Sequence, residues 1–190
     1  MVPNSKKIIA VVGMAGSGKT EVINYLVDKY HWPKVYFGEA TFEELKKEGL
    51  EVNPENERKM REKIRKEQGM DAYAKLSLPK IIAALKISDI VLVESLYSWA
   101  EYKFLKEKFG DTFRVVAIFA SPALRFSRLK QRAVRPIREF EEFRKRDWSE
   151  IEGTDKGGPI AIADHTIIND GSLAELHKKI DKVVEKEKEL

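Results

Sequence analysis

The residues with the most definite chemistry lie near the start of the chain. Gly13-Met14-Ala15-Gly16-Ser17-Gly18-Lys19-Thr20 fits the spacing G-x-x-x-x-G-K-[ST] at every fixed position. Each position has a physical task. Glycine removes the Cβ where the backbone must turn sharply and where an oxyanion must come close to the main chain. The N–H groups of Gly13, Ala15, Gly16, Ser17 and Gly18 can then point inward as an anion nest. A helix opening near Gly18 adds its positive end. Lys19 carries a mobile charge to the outer phosphates of a nucleoside triphosphate, ATP or GTP. The Thr20 hydroxyl can ligate Mg²⁺.

Arginine supplies a second chemistry. Of the eleven arginines, seven fall between Arg125 and Arg146, whereas lysine is spread along the whole chain. A guanidinium offers a planar fork of donors that matches phosphate. The stretch is therefore a candidate for a second set of phosphate contacts, with a solvated helix face as the other reading. Glu94 ends a run of Val-Leu-Val, at the sheet edge where ligands sit.

These groups need elements to position them. Lys7–Val12 is apolar throughout, as a strand buried on both faces must be. Lys19–Tyr30 reads as a helix with Val22, Ile23, Leu26 and Val27 on one face. Lys34–Phe37, Asp89–Glu94, Arg114–Ala120 and His165–Asn169 read as four further strands. Helices are expected over Ala100–Phe109, Pro122–Arg132, Arg138–Glu150 and Leu173–Lys186, with Gly153–Pro159 as a loop. Alternating strands and helices predict an α/β fold. The stretch 41–86 is helical and highly charged, with breaks near Gly49–Pro54 and Gly69. It reads as an insertion over the carboxyl edge of the sheet, where α/β proteins bind ligands.

Composition bounds the rest. A chain of 190 residues suffices for one domain. It has no cysteine, so disulfides and thiolate metal sites are excluded, and a cytoplasmic setting is expected. No apolar run approaches the roughly 18 residues of a membrane span. Met1–Lys7 has no signal-peptide layout. The net charge of +4 does not by itself point to nucleic acid, and no RNA-binding motif is present. His31, His165 and His177 lie in separate elements, too scattered for a metal site.

Beyond the phosphate loop, the order of Gly38-Glu39, Val91–Glu94 with Glu101, Ala120-Ser121-Pro122 with Arg128 and Arg132, Arg146-Asp147, and Asn169–Ser172 resembles the nucleoside monophosphate kinase group of P-loop proteins. The nearest likeness is to an archaeal adenylate kinase-related or dephospho-CoA kinase-like branch. The resemblance implies a three-layer sandwich on a five-stranded parallel sheet. Residues 41–86 would form the acceptor-binding region and 132–138 a small lid. It implies ATP with Mg²⁺ held by Thr20 and Glu94, Arg128 packed on the adenine, and Asp170 and Gly171 beside the base. Arg132, Arg135, Arg138 and Arg146 would close on the transferring phosphoryl group. Ser172 with Glu175 has a second reading as a helix capping box.

Two positions depart from the pattern, both on the acceptor side. Phe42 and Tyr97 stand where the group has arginines that grip the acceptor phosphate. Arg58, Arg61 and Arg65 share a helix face and can substitute, or can form a surface laced to Glu55, Glu57, Glu62 and Glu67. Glu39 offers a base if the acceptor is a hydroxyl. The expected activity is γ-phosphoryl transfer to a small nucleotide-like acceptor. The rival is a regulator or slow NTPase with a degenerate acceptor site.

Overall fold

A computed structural model describes residues 6–189. The leader reading of Met1–Lys7 thus falls mostly outside the described residues. Five strands, β1 Lys7–Val12, β2 Lys34–Tyr36, β3 Ile90–Glu94, β4 Phe113–Phe119 and β5 His165–Ile168, form one parallel sheet in the order β2-β3-β1-β4-β5. β1 is central, with Ile9 opposite Leu92 on one side and opposite Arg114 on the other. Its six residues are all buried, because helices cover both faces.

The strand period of two sorts the core into layers. Ile9 and Val11 face α1 (Lys19–Tyr30) and α9 (Leu173–Glu189) through Val22, Ile23, Leu26, Leu176 and Ile180. Ile8, Ala10 and Val12 face the other layer, where α4 (Ala72–Ile87) and α5 (Trp99–Phe109) supply Ile81, Leu85 and Leu105. α2 (Glu39–Lys47) and α3 (Pro54–Gln68) join that same core through Leu45, Met60 and Ile64. The helical stretch is thus packed against Val35 and Phe37 of the sheet edge, and Thr41 Oγ1 meets the Tyr73 hydroxyl at 2.8 Å beneath it.

The later elements differ from the sequence expectation. α6 is Pro122–Lys130 and α7 is Phe140–Thr154, so α7 begins and ends later than predicted. Glu139 is still extended, which delays the start. Gly153 breaks nothing, since the next helix stop is Asp155, a left-handed C-cap at φ 52°. The expected loop then holds α8, Gly157–Ala161, in which Pro159 sits early enough to be tolerated.

The amino edge of the sheet is closed by charge. Glu187 of α9 is 1% exposed. Lys7 donates to both its carboxylate and its backbone carbonyl, His165 Nε2 lies 2.7 Å from its Oε1, and Arg114 Nε lies 3.4 Å from its Oε2. Three strand starts are thereby tied to one helix, on the side away from the phosphate loop.

Candidate functional site

The loop between β1 and α1 needs glycine for steric reasons. Gly13, Gly16 and Gly18 have φ of 144°, 80° and 104°, all in the region that favours glycine. A Cβ at Gly16 would lie 2.7 Å from the Arg125 carbonyl oxygen, so the loop is pressed against α6. Arg125 holds it there. Its Nη1 donates to Ala15 O at 3.1 Å, and both its terminal nitrogens bind Asp147 of α7, at 2.9 and 2.6 Å. The guanidinium also sits 4.9 Å from the Phe143 ring. On the other side Asn169 Nδ2 donates to Ser17 O at 2.8 Å. Lys19 Nζ donates to Met14 O at 3.0 Å and so arches over the loop.

A cavity of about 370 Å³ opens above this floor. Ala15, Gly16, Lys19 and Thr20 form its base. Lys34, Tyr36, Glu94, Ser95 and Tyr97 form one wall at the carboxyl ends of β2 and β3. Arg132, Arg146, Glu150 and Lys156 form the other. Five cations thus face two carboxylates. Lys34 binds Glu94 at 3.0 Å, and Glu150 is shared by Arg146 at 3.2 Å and Lys156 at 2.5 Å. Burial lowers the Lys19 pKa to about 7, helped by the charges of Lys156, Arg146 and Arg132 and opposed by Glu150. Burial alone would raise the Glu150 carboxyl, yet Lys156, Arg146 and Lys19 together take it below its usual range. The site carries unbalanced positive charge in a poorly solvated place, the setting in which a polyanion binds.

Tyr97 reaches this wall because a capping box fixes its loop. Ser95 turns at φ 71°. Glu101, buried in the first turn of α5, then accepts from the backbone N–H groups of Tyr97 at 2.7 Å and Ser98 at 2.9 Å. Burial raises the Glu101 pKa to about 7 against those two hydrogen bonds.

The sequence candidates divide into two groups. Ala15, Gly16, Lys19, Thr20, Glu94, Tyr97, Arg132 and Arg146 meet in one cavity. The others lie outside its wall. Glu39 is exposed and paired with Lys80 at 2.9 Å. Phe42 is half-buried in α2, and Arg65 lies over the Tyr73 ring at 5.1 Å. Arg58 and Arg61 bind Glu62 and Glu57 along α3, which is the surface-lacing reading. Arg135, left-handed at φ 53°, binds the buried Glu57 carboxylate at 2.7 and 3.3 Å, and Arg138 is exposed. Arg135 holds the Glu57 carboxyl below its usual range. Arg128 donates to Asn169 O at 3.1 Å, with Asp170 and Gly171 exposed beside it. Ser172 and Glu175 close their capping box on α9. Tyr36, which with Phe37, Phe42, Tyr73, Tyr97 and Trp99 reads from sequence as an aromatic that can line an acceptor pocket or pack in the core, lies in the cavity wall, and Lys34, Ser95, Glu150 and Lys156 join it without having been singled out from sequence.

Thr20 and Glu94 contribute a hydroxyl and a carboxylate to the lining of the cavity. Such oxygens suit Mg²⁺ when nucleotide phosphates and water complete the shell. Among the described residues no group of three or more acidic or histidine side chains forms a cage of its own, so an ion that arrives with its nucleotide is what fits.

Comparison with known proteins adds the following. A family profile described as "AAA domain" matches residues 12–144. The chain is 38% identical over 181 residues to a UPF0200 protein of Thermococcus gammatolerans, covering 94% of each chain. It is 34% identical over 179 residues to a UPF0200 protein of Methanocaldococcus jannaschii, covering 94% of this chain and 89% of that one. Among solved structures it resembles a shikimate kinase from Acinetobacter baumannii in complex with shikimate, with a TM-score of 0.59, 19% identity and coverage of 96% and 95%. A gluconokinase from Sinorhizobium meliloti gives 0.53, 16%, 90% and 87%. At these identities the likeness is one of fold, the α/β fold of P-loop small-molecule kinases.

Proposed function

This chain belongs to the UPF0200 family, its residues 12–144 belong to the AAA-domain family, and from that premise we propose that it is a kinase transferring the γ-phosphoryl group of ATP to a small nucleotide-like acceptor. One observation carries the reading. Lys19, Arg132, Arg146 and Lys156 converge over a phosphate loop in one cavity, where Glu150 pairs with both Arg146 and Lys156. Loop N–H groups and Lys19 would hold the β- and γ-phosphates, and Arg128 with residues 170–171 would flank the base. Thr20 and Glu94 would hold Mg²⁺, which supplies charge neutralisation between the phosphates when bound. An acceptor oxygen attacks the γ-phosphorus in line, the bond to the β,γ-bridging oxygen breaks, and ADP leaves with that electron pair. The protein's part is positioning and charge compensation. In this reading the whole chain is one kinase domain of the adenylate kinase-related or dephospho-CoA kinase-like type, working in the cytoplasm, with 132–138 as its lid.

The wall favours an acceptor group that is already ionised, as in a nucleoside monophosphate. A hydroxyl acceptor of the dephospho-CoA kind calls for a base. Glu39 is engaged by Lys80 outside the cavity, while Glu94 and Glu150 are both ion-paired. A second reading, a nucleotide-binding regulator or slow NTPase, has its own support: α2, α3 and α4 put no side chain into the cavity wall. The test is to incubate the protein with γ-labelled ATP, Mg²⁺ and a panel of nucleoside monophosphates, dephospho-CoA and RNA. Label in a monophosphate is the expected result. Label only in free phosphate would replace the kinase by the NTPase.

A further inference from the structure

Lys156 is the one cavity cation that comes from a segment expected to be a loop, and its surroundings are unusual for a lysine. Its side chain is 3% exposed. Removing an ammonium from water is costly unless it is paired and hydrogen-bonded. Here the pairing is shared: Glu150 serves Lys156 at 2.5 Å and Arg146 at 3.2 Å together. Its ammonium also lies over the face of Tyr97, whose ring centroid is 4.2 Å from Nζ. A ring face attracts a cation but satisfies no N–H donor directionally. Tyr97 in turn is fixed through its backbone by Glu101.

The position matters as much as the shell. Lys156 and Tyr97 line the same cavity as Lys19, on walls that rise from the loop floor. Lys156 is also the largest like-charge influence on Lys19, so the two ammonium groups face the same space. Tyr97 is the position at which an acceptor-side arginine was expected and is absent. The charge absent from residue 97 is instead laid over its ring by residue 156.

Resting on the kinase reading above, we propose that Lys156 is a second catalytic cation, which binds the outermost phosphoryl group of the nucleotide from the acceptor side, opposite Lys19. Glu150 is then a positioning residue. It keeps Lys156 and Arg146 charged and aimed before the nucleotide arrives, and it yields Lys156 to the phosphate. A flexible four-carbon stem allows that exchange of partners.

The test compares Mg²⁺-dependent binding of ATP and of ADP by calorimetry for the wild type, Lys156→Met and Lys156→Arg. A hydrogen bond to a charged group contributes about 1.5–3 kcal/mol, or roughly tenfold to a hundredfold in affinity. Lys156→Met is expected to weaken ATP by that factor and ADP by less than about threefold, and Lys156→Arg to keep most of the wild-type preference. A purely structural lysine would weaken both nucleotides alike, and an unchanged ATP-to-ADP ratio in Lys156→Met overturns the proposal. Should that variant fail to fold, Glu150→Gln decides. It removes the carboxylate that keeps Lys156 charged and aimed, so the preference for ATP over ADP should fall, and a preference that stays the same or rises overturns the assignment. A wild type that binds neither nucleotide removes the kinase reading itself, an outcome distinct from either.

Discussion

Replacing Glu101 with Gln should remove most of one identifiable pH dependence of stability. Glu101 is fully buried, its Oε2 accepts from two backbone N–H groups, and its Oε1 is among the buried atoms with no partner. Burial raises its pKa from 4.5 to about 7. The folded state then binds more protons than the unfolded state between those values. Stability is greatest below the unfolded pKa, falls as pH rises through the window, and levels off above about 7. At about 1.4 kcal/mol per unit, the loss between pH 4.5 and pH 8 is on the order of 3 kcal/mol. Gln keeps an oxygen for the Tyr97 and Ser98 N–H groups and has no charge to desolvate. Urea denaturation of both proteins at several pH values between 4.5 and 8 isolates this group, because other titrations cancel in the difference. The variant should gain on the wild type as pH rises, and be the more stable at pH 8. Parallel pH profiles would refute the reasoning and show that the carboxylate stays ionised in its cap.

Lys19→Ala should abolish phosphoryl transfer and weaken ATP binding more than AMP binding, measured by labelled transfer and calorimetry, because the lost charge faces the outer phosphates. Arg132→Ala and Arg146→Ala should each lower kcat by roughly tenfold to a thousandfold with little change in melting temperature. Arg138→Ala, at an exposed position outside the cavity, should change kcat by less than about threefold. Glu187→Ala should cost about 3–5 kcal/mol in denaturant melts, since it strands the Lys7 ammonium at the closed edge of the sheet.

The parts of the molecule legible in sequence are those whose determinants are local. The runs at residues 8–12 and 90–93 are apolar without alternation, which burial on both faces explains, and that implies a parallel sheet between helical layers. The phosphate loop is a contiguous octapeptide and reads directly. The far wall is assembled from charged residues whose burial is decided by distant packing. Glu57 and Lys156 look like solvated charges in their own neighbourhoods, yet they are 4% and 2% exposed. Arg125 was one of seven in a cluster, and only its reach to Ala15 and Asp147 marks it as the loop's support. Arginine spacing likewise could not separate Arg132, in the cavity, from Arg135, turned by a left-handed backbone toward α3.

The contact between Asn169 and Ser17 has a consequence for synthesis. The loop that grips phosphate lies at residues 13–20, but the side chain that ties down its Ser17 carbonyl belongs to residue 169, and the same Asn169 carbonyl receives Arg128. A ribosome extends a chain at about 5–20 residues per second from the N-terminus. β1 therefore waits through the making of β3, β4 and β5 before its own loop is braced. The nucleotide-binding motif is among the first segments translated, and one of its braces is among the last.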